Sequence, residues 1–274
     1  MMNRRQLMAA LVALGAAGAR AAGDALAAVR ERGTLTVAVY RDMPPFHVDG
    51  RGIDVDLANA LAQALGVKAS LMPFPAGEDM GDDLRNMVWK GHYLGYGPAD
   101  VLMHVPVDAP LMDANPQVRI FGPYWRDRVM IARRLERLPH LETLAQLNGA
   151  RVAVPGDTLA GWLMLGADGG AYRGQLSTTW KDGVEAARAL QRGEVAAAAG
   201  LESELASVLA GDPGVVITPL PTLHNARAGW AVGLAVRKDA APLAAALQKA
   251  VDTAAGDGTL KTLFAQGHLD WRPV

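Results

Sequence analysis

The chain has 274 residues, half of them hydrophobic, and its 27 Lys and Arg residues nearly balance its 28 Asp and Glu residues. This length and composition allow a sizeable core in one large or two smaller domains. The sequence has no basic run, which argues against nucleic acid and anionic membranes as partners. Because it has no cysteine, thiolate metal sites and cysteine nucleophiles are excluded.

The first 21 residues have the pattern of an export signal. Arg4 and Arg5 precede an apolar run over 7–17, and the segment ends in an Ala-x-Ala site at 19–21. This order is typical of a cleaved signal peptide, and the run is shorter than the roughly 20 apolar residues that span a bilayer. The arginine pair also fits a twin-arginine signal, so the Sec and Tat routes both stay open. We expect a periplasmic chain that begins near Ala22 and has no stable membrane insertion.

Helices and strands alternate in the first part of the remaining chain. The stretch 34–40 (TLTVAVY) alternates apolar and β-branched residues, which indicates a buried strand. The stretch 53–65 has apolar residues at helical spacing, acidic residues in its first turn and Gly66 after its end, as helices do. Helices are predicted at 25–32, 53–65 and 82–90, and strands at 34–40, 67–72, 99–105 and 129–133.

The alternation continues to the end of the chain. A strand over 151–154 runs through a Pro-Gly-Asp-Thr turn into an apolar helix start. Helices are predicted at 143–147, 159–165, 184–192, 202–209, 241–255 and 259–266, and strands at 151–154, 195–199, 215–217 and 230–237. Strands that alternate with helices predict an α/β fold with largely parallel sheets.

Seven runs of sequence follow one another in an order that covers nearly all of the mature chain. They are 29–40 (VRERGTLTVAVY), 41–46 (RDMPPF), 52–65 (GIDVDLANALAQAL), 121–124 (FGPY), 144–158 (LAQLNGARVAVPGDT), 190–199 (LQRGEVAAAA) and 232–264 (VGLAVRKD…GDGTLKTLF). In these runs the chain resembles the family 3 periplasmic solute-binding proteins, the type II two-lobed binders that feed ABC importers.

The resemblance implies two α/β lobes, each a mostly parallel sheet flanked by helices, joined by two hinge strands. It places one lobe at about 22–127 plus 230–274 and the other at about 131–227. A solute held between the lobes is trapped when the hinge closes.

In the first lobe, the resemblance assigns ligand contacts to two segments. The loop at 44–46 supplies an aromatic face, here Phe46, although core packing of this ring stays open as an alternative. His104 lies at the end of the third strand, where a packed histidine that bonds the backbone is the alternative. The contacts expected from this lobe are Asp42, Phe46, His47, His104, Pro106 and Asp108.

In the second lobe, the expected contacts follow two strands. Gly156, Asp157 and Thr158 open a helix whose free N–H groups suit a carboxylate or phosphate, and a helix cap by Asp157 or Thr158 is the alternative. Glu202 follows the strand at 195–199 and is a candidate partner for a cationic group.

Two departures from the family pattern bear on the solute. Amino-acid binders in this family have an arginine that clamps the ligand carboxylate and an aspartate that pairs with the ligand ammonium. Alignment puts Leu111 at the arginine, and Leu201 or Gly200 at the aspartate. Because an unpaired charge in a closed cleft is costly, we expect a solute other than a standard α-amino acid.

A third departure is an insertion at 91–98 (GHYLGYGP), where the family usually has a tight turn. With the acidic residues before it, this segment predicts an acidic surface loop that contains Tyr93 and Tyr96. A lid over the ligand, a contact with a partner protein and a solvated loop all stay open. The acidic residues concerned are Glu78, Asp79, Asp82 and Asp83.

Three functions are compatible with this reading. The first is a monomeric binding protein that passes a small polar solute to an ABC permease. The second is an accessory protein of a periplasmic quinoprotein alcohol dehydrogenase, since family members encoded beside such enzymes also lack the clamp. The third is a dehydratase-like enzyme with His104, Asp108 and Glu202 as acid and base, although no catalytic signature is present. No cofactor or metal is expected, even if His47, His92 and His104 converge near the cleft.

Overall fold

The computed structural model describes residues 24–221 and 229–274. The predicted signal at 1–21 and the expected start near Ala22 lie outside the described residues. Within the described residues, no helix is both long enough and apolar enough to cross a bilayer.

The strands are close to those expected, except for an unpredicted two-residue strand at Leu176–Ser177 and one strand that is much longer than predicted. Strand β1 has the predicted bounds, whereas β4 begins eleven residues before the predicted strand at 129–133. The missed part contains Gly122-Pro123 and exposed charged residues, which are turn and surface signals in a sequence. The strands are β1 Thr34–Tyr40, β2 Lys68–Phe74, β3 Val101–Pro106, β4 Val118–Arg134, β5 Val152–Ala153, β6 Leu176–Ser177, β7 Ala197–Leu201, β8 Val215–Pro219 and β9 Gly229–Arg237.

The helices also follow the sequence pattern, and α1, α7 and α9 have the predicted bounds. The helix predicted at 82–90 divides into α3 and a π-helical turn at Arg85–Trp89, and the segment predicted at 143–147 is a 3₁₀ turn at Leu144–Leu147. The α-helices are α1 Ala25–Arg32, α2 Ile53–Ala64, α3 Met80–Leu84, α4 Ala109–Ala114, α5 Leu159–Gly166, α6 Gly183–Gln191, α7 Glu202–Leu209, α8 Ala241–Gly256 and α9 Thr259–Gln266.

In the described part of the chain, the strands form one mixed sheet in the order β2-β1-β3-β9-β4-β7-β5-β6, with β8 also paired to β4. Strand β4 divides this sheet because it pairs with β9 up to Arg128 and with β7 and β8 from Val129 onward. We call β1, β2, β3, β9 and residues 118–128 the first half, and β5 to β8 and residues 129–134 the second half. The outer strands of each half pair in parallel, and β4, β8 and β9 run antiparallel to their neighbours.

Each half has its own apolar core. Leu35, Val37 and Leu57 belong to the largest cluster of the first half, and Val152, Val154 and Ala197 to one in the second. The alanine-rich α6 packs on the alanines of β7, where small side chains allow a close approach of helix and sheet. One residue of α7, Ala206, lies in the core cluster of the first half, so this helix packs against both halves.

Candidate functional site

The predicted ligand residues lie at or just beyond the carboxyl ends of four strands. Strands β1 and β3 end at Tyr40 and Pro106 in the first half, and β5 and β7 end at Ala153 and Leu201 in the second. Solutes of α/β sheets bind beyond such strand ends. The fold therefore brings the predicted residues of each half to the edge where a binding site is expected.

His104 is the best-defined residue of this edge. Its backbone is left-handed (φ 62°), a conformation that few residues with side chains adopt. Its N–H donates to the Tyr124 hydroxyl at 3.0 Å, and that hydroxyl donates to the Asp54 carboxylate at 2.8 Å. Burial raises the pKa of Tyr124 well above its ordinary value, so the hydroxyl stays protonated and keeps this role.

The imidazole of His104 is nearly enclosed, with 8% of the residue exposed. Its Nδ1 lies 3.5 Å from Asp54 Oδ2, yet among the described residues it has no hydrogen-bond partner. One face of the ring contacts Phe46, with the ring centroids 4.2 Å apart. A buried nitrogen without a partner is uncommon, and it gives this histidine an unused hydrogen-bonding capacity beside a buried carboxylate.

Phe46 and His47 hold the loop after β1 in place. Phe46 is 2% exposed and belongs to the core cluster of the first half. The Nδ1 atom of His47 lies 2.9 Å from the Tyr40 carbonyl oxygen, and its Nε2 accepts from the Gly50 amide at 3.3 Å. Because Nε2 accepts, Nδ1 is the nitrogen that carries the proton and donates to Tyr40. Asp42, in contrast, is exposed at the same edge with a left-handed backbone.

The end of β3 leads into α4, a helix that the sequence did not predict. Asp108 caps this helix by accepting from the Leu111 amide at 3.3 Å, and Pro106 pairs with Val232 of β9. The Leu111 side chain packs against an apolar cluster of the first half. At the position where the family pattern has its arginine, the structure thus has an apolar contact.

In the second half, Thr158 caps α5. Its hydroxyl accepts from the Gly161 amide at 3.2 Å and donates to the Pro155 carbonyl at 2.8 Å. The Gly156 amide donates to the Thr178 carbonyl at 3.2 Å, so it is used within the fold. Asp157 is exposed beside this cap.

Glu202 has a partner of its own. Its Oε2 accepts from Arg128 Nη2 at 2.8 Å and from Nε at 3.1 Å, and its side chain is 15% exposed. This contact neutralises the Glu202 carboxylate, which the sequence predicts as a candidate partner for a cationic ligand group.

Two further carboxylates lie beside this ion pair. Asp127, 1% exposed, accepts from the Ser203 hydroxyl, from the Ser203 amide at 3.3 Å and from the Arg128 amide at 3.0 Å. Glu204 accepts from the Leu201 amide at 2.9 Å and from the Gly183 amide at 3.2 Å. Burial raises the pKa of Asp127, and it raises the pKa of Glu204 to about 7.

Five of the residues described above were not predicted from the sequence as site residues: Asp54, Tyr124, Asp127, Ser203 and Glu204. Asp54 was read only as an acidic residue of a helix start, and Asp127 lies between two arginines as many surface residues do. Their partners lie 70 and 76 residues away along the chain, so no local pattern marks them.

The insertion at 91–98 forms a compact aromatic loop. The His92 ring stacks on Tyr96 with centroids 4.3 Å apart and planes 12° apart, and it contacts Tyr93 at 4.4 Å. The His92 amide donates to the Tyr96 carbonyl at 2.8 Å, and the Leu94 amide donates to His92 Nδ1 at 3.2 Å. Tyr93 and Leu94 are 88% and 68% exposed.

This loop leads into the amino end of β3, whereas the predicted ligand residues follow the carboxyl ends. This position disfavours a lid over the ligand, and it disfavours the convergence of His92 with His47 and His104 that the sequence left open. The expected acidic surface also loses one member, because Asp83 is buried and accepts from Tyr40 and the Gly77 amide. No group of three or more His, Asp or Glu residues in the described chain is arranged to hold a metal.

No family model matches the chain, and no curated protein sequence matches it. Solved structures do match over most of its length. An ancestral cationic amino acid solute-binding protein is 22% identical, with a TM-score of 0.69 over 88% of this chain and 98% of that one. This chain has the two-lobed fold of periplasmic binding proteins.

Two other structures support the same fold. The L-cystine solute receptor of Neisseria gonorrhoeae is 22% identical, with a TM-score of 0.64 over 89% of this chain and 96% of that one. An amino acid ABC transporter substrate-binding protein from Streptococcus pneumoniae, bound to L-arginine, is 21% identical, with a TM-score of 0.62 over 92% and 100%. These matches are to the fold as a whole and do not by themselves identify the residues of a binding site.

Proposed function

We propose that this protein is a periplasmic binding protein that captures a small polar solute between two lobes and passes it to an ABC importer. The proposed lobes comprise 22–127 plus 230–274 and 131–227. The division of the sheet at β4 and the separate core of each half support these bounds. The pattern at 1–21 supports export, and a monomer is the form we propose.

We further propose that the solute is not a standard α-amino acid. The structures that match include proteins named for cationic amino acids, L-arginine and L-cystine, so this protein would differ from them in its ligand. The ion pair between Arg128 and Glu202 is the observation that carries this proposal. It occupies the candidate partner of a ligand ammonium, while Leu111 offers no partner to a ligand carboxylate.

The cost of desolvation supports the proposed solute class. An amino acid buried without charge partners loses the hydration of both its ionic groups, at a cost of several kcal/mol for each ion. The exposed carboxylates of Asp42 and Asp157 at the strand ends can accept hydrogen bonds from a neutral or cationic solute, but they offer no partner to a ligand carboxylate.

A thermal unfolding screen tests the proposal. Purified protein is heated with the standard amino acids and cystine in one set, and with sugars, polyols, organic acids and amines in another. A solute present at 100 times its Kd stabilises the folded state by about 2.7 kcal/mol, which is readily detected. We expect a rise in melting temperature with a member of the second set only. A rise with arginine, lysine or cystine, confirmed by calorimetric titration, would contradict the proposed solute class.

Two variants of one loop provide a matched pair for any solute found. Asp42 and Asp49 are both exposed, both have left-handed backbones and both precede α2, but only Asp42 is a predicted ligand residue. We expect Asp42→Asn to weaken binding and Asp49→Asn to leave it unchanged. Asparagine tolerates the same backbone conformation, so neither change strains the loop.

The aromatic loop favours a second candidate function, that of an accessory protein for an exported dehydrogenase. Tyr93 and Leu94 offer apolar surface on the edge opposite the proposed solute site, and the His92 stack holds them in place. A photo-crosslinking residue at Tyr93 would test this in a periplasmic extract, with the same residue at exposed Trp162 as control. A specific dehydrogenase adduct at Tyr93 would favour this role, and adducts shared by both positions would count against it.

A further inference from the structure

Strand β4 changes partners between two adjacent residues. Asp127 and Arg128 pair with Trp230 and Gly229 of β9, and Val129 pairs with Leu201 of β7. Among the described strands, β4 alone pairs in both halves. Residues 127–129, which we call the crossing, therefore connect the two halves directly.

Two side chains of the crossing hold the first turn of α7. The Asp127 carboxylate accepts from both the amide and the hydroxyl of Ser203, and the Arg128 guanidinium donates twice to Glu202. Helix starts have unpaired N–H groups, and a carboxylate satisfies them with favourable charge. Here the carboxylate that binds Ser203 comes from the crossing, while Glu204 of the helix itself binds the Leu201 amide.

The next turn of the same helix reaches the first half. Ala206 lies in the core cluster of the first half. Ser207 lines a groove of about 320 Å³ with Pro44, Pro45 and Asp56, which belong to the loop and helix after β1. Because a helical turn is stiff, a shift of α7 at Ser203 is transmitted to these contacts one turn later.

The burial of Asp127 makes the arrangement specific. A carboxylate that is 1% exposed is tolerated only when its oxygens are hydrogen-bonded, and here the donors are two groups of α7 and one backbone amide of the crossing. Few positions of α7 bring both Ser203 donors to this carboxylate, so the carboxylate restricts the helix to a narrow range of positions.

We propose that Asp127 is a positioning residue for solute capture, which sets the angle between the two halves by holding α7 against the crossing. This role rests on the proposed function in one respect, namely that closure of the two lobes captures the solute. The angle between the halves is a property of the protein alone, so the role of Asp127 can be tested without a solute.

A distance measurement between spin labels tests this proposal. The chain has no cysteine, so Lys249→Cys on α8 and Arg188→Cys on α6 would carry the labels at exposed positions in the two halves. Double electron–electron resonance then reports the distribution of the distance between the halves. We expect one narrow distribution in the labelled parent, and a broader one shifted to longer distance after Asp127→Asn.

Two further variants make the result decisive. Ser203→Ala removes the hydroxyl donor but keeps the amide, so it should broaden the distribution even if Asp127→Asn fails to fold. Asp100→Asn is the control, because Asp100 binds the Thr36 amide and Arg32 within the first half alone. It should lower the melting temperature without changing the distance.

The proposal is overturned if Ser203→Ala, and Asp127→Asn where it folds, lower the melting temperature but keep the parent's distribution, as Asp100→Asn should. A failed solute screen would leave this result standing, because no solute enters the measurement. Conversely, a bound solute would not rescue the proposal if the distances are unchanged.

Discussion

Glu204 and Gly183 join the starts of two helices. The Gly183 amide, in the first residue of α6, donates to Glu204 at 3.2 Å, and the same carboxylate bonds the Leu201 amide before α7. The approach is so close that a Cβ at position 183 would lie 2.2 Å from Glu204 Oε2. A side chain at position 183 would therefore displace the Glu204 carboxylate, although the backbone there is not left-handed.

Gly183→Ala should therefore destabilise the fold. The added methyl group displaces the Glu204 carboxylate from two amides, and overpacking of this kind typically costs about 1–3 kcal/mol. Gly166→Ala is the control, because a Cβ there meets no neighbouring atom and its φ of −88° suits alanine. Urea unfolding should show a lower midpoint for the first variant and an unchanged or higher one for the second. Equal midpoints would contradict the proposed crowding.

The raised pKa of Glu204 predicts how stability depends on pH. Burial raises this pKa from 4.5 to about 7, so the folded protein holds a proton that the unfolded chain releases. The contribution of the Glu204 carboxyl to the free energy of unfolding is fully present below pH 4.5 and is lost as the pH rises through 7. Each pKa unit corresponds to about 1.4 kcal/mol, so the loss amounts to about 3 kcal/mol.

Glu204→Gln should remove this dependence, because an amide keeps the shape and does not titrate. The free energy of unfolding, measured in urea between pH 4 and pH 8, should fall less steeply for this variant than for the parent. Glu31→Gln at an exposed position is the control and should follow the parent. Parallel curves for Glu204→Gln and the parent would show that another group governs this range.

Local pattern was sufficient to predict most elements of the fold. The apolar alternation that marks β1 and the helix pattern that marks α7 each lie within a few consecutive residues. The predicted bounds of both elements agree with the structure. The first part of β4 was missed because its pairing with β9 outweighs the turn signal of Gly122-Pro123. Long-range pairing of this kind leaves no mark in a short window.

The candidate site was harder to predict from the sequence for the same reason. A predicted ligand residue such as His104 was found through alignment to a family, whereas the groups around it come from distant segments. Asp54 reaches Tyr124 across 70 residues, and Asp127 reaches Ser203 across 76. A single acidic residue in a sequence looks the same whether it will be solvated or buried, and only the fold distinguishes the two.

Tyr40→Phe tests a buried hydrogen bond at the carboxyl end of β1. The Tyr40 hydroxyl donates to Asp83 at 2.8 Å, and both residues are buried. Without this donor, Asp83 keeps the Gly77 amide but loses a partner inside the protein, which should cost about 1–3 kcal/mol. Tyr172→Phe removes a similar bond to Asp168 at the surface, and it should have no measurable effect on urea unfolding.

The same variant should also change the pH dependence. Burial raises the pKa of Asp83, and the bond from Tyr40 partly opposes that rise. Removal of the bond should raise this pKa further. Because a raised carboxyl pKa removes stability as the pH increases, Tyr40→Phe should cost more at neutral pH than at pH 4. A cost that is independent of pH would show that the lost hydroxyl acts through packing alone.

Phe46 is the residue for which packing and ligand contact must be separated. Its ring is 2% exposed, lies 4.2 Å from the His104 ring and 6.3 Å from the Phe264 ring, and belongs to the core of the first half. We expect Phe46→Ala to cost about 3–5 kcal/mol of stability, as large-to-small changes in a core do. Phe46→Leu, which keeps most of the volume, should cost less, and Leu94→Ala in the exposed loop should cost little.

Solute binding separates the two roles of this ring. If packing dominates, affinity for a solute found by the thermal screen should be the same in Phe46→Leu as in the parent. A variant with parent-like stability and lost binding would instead assign this ring to the solute.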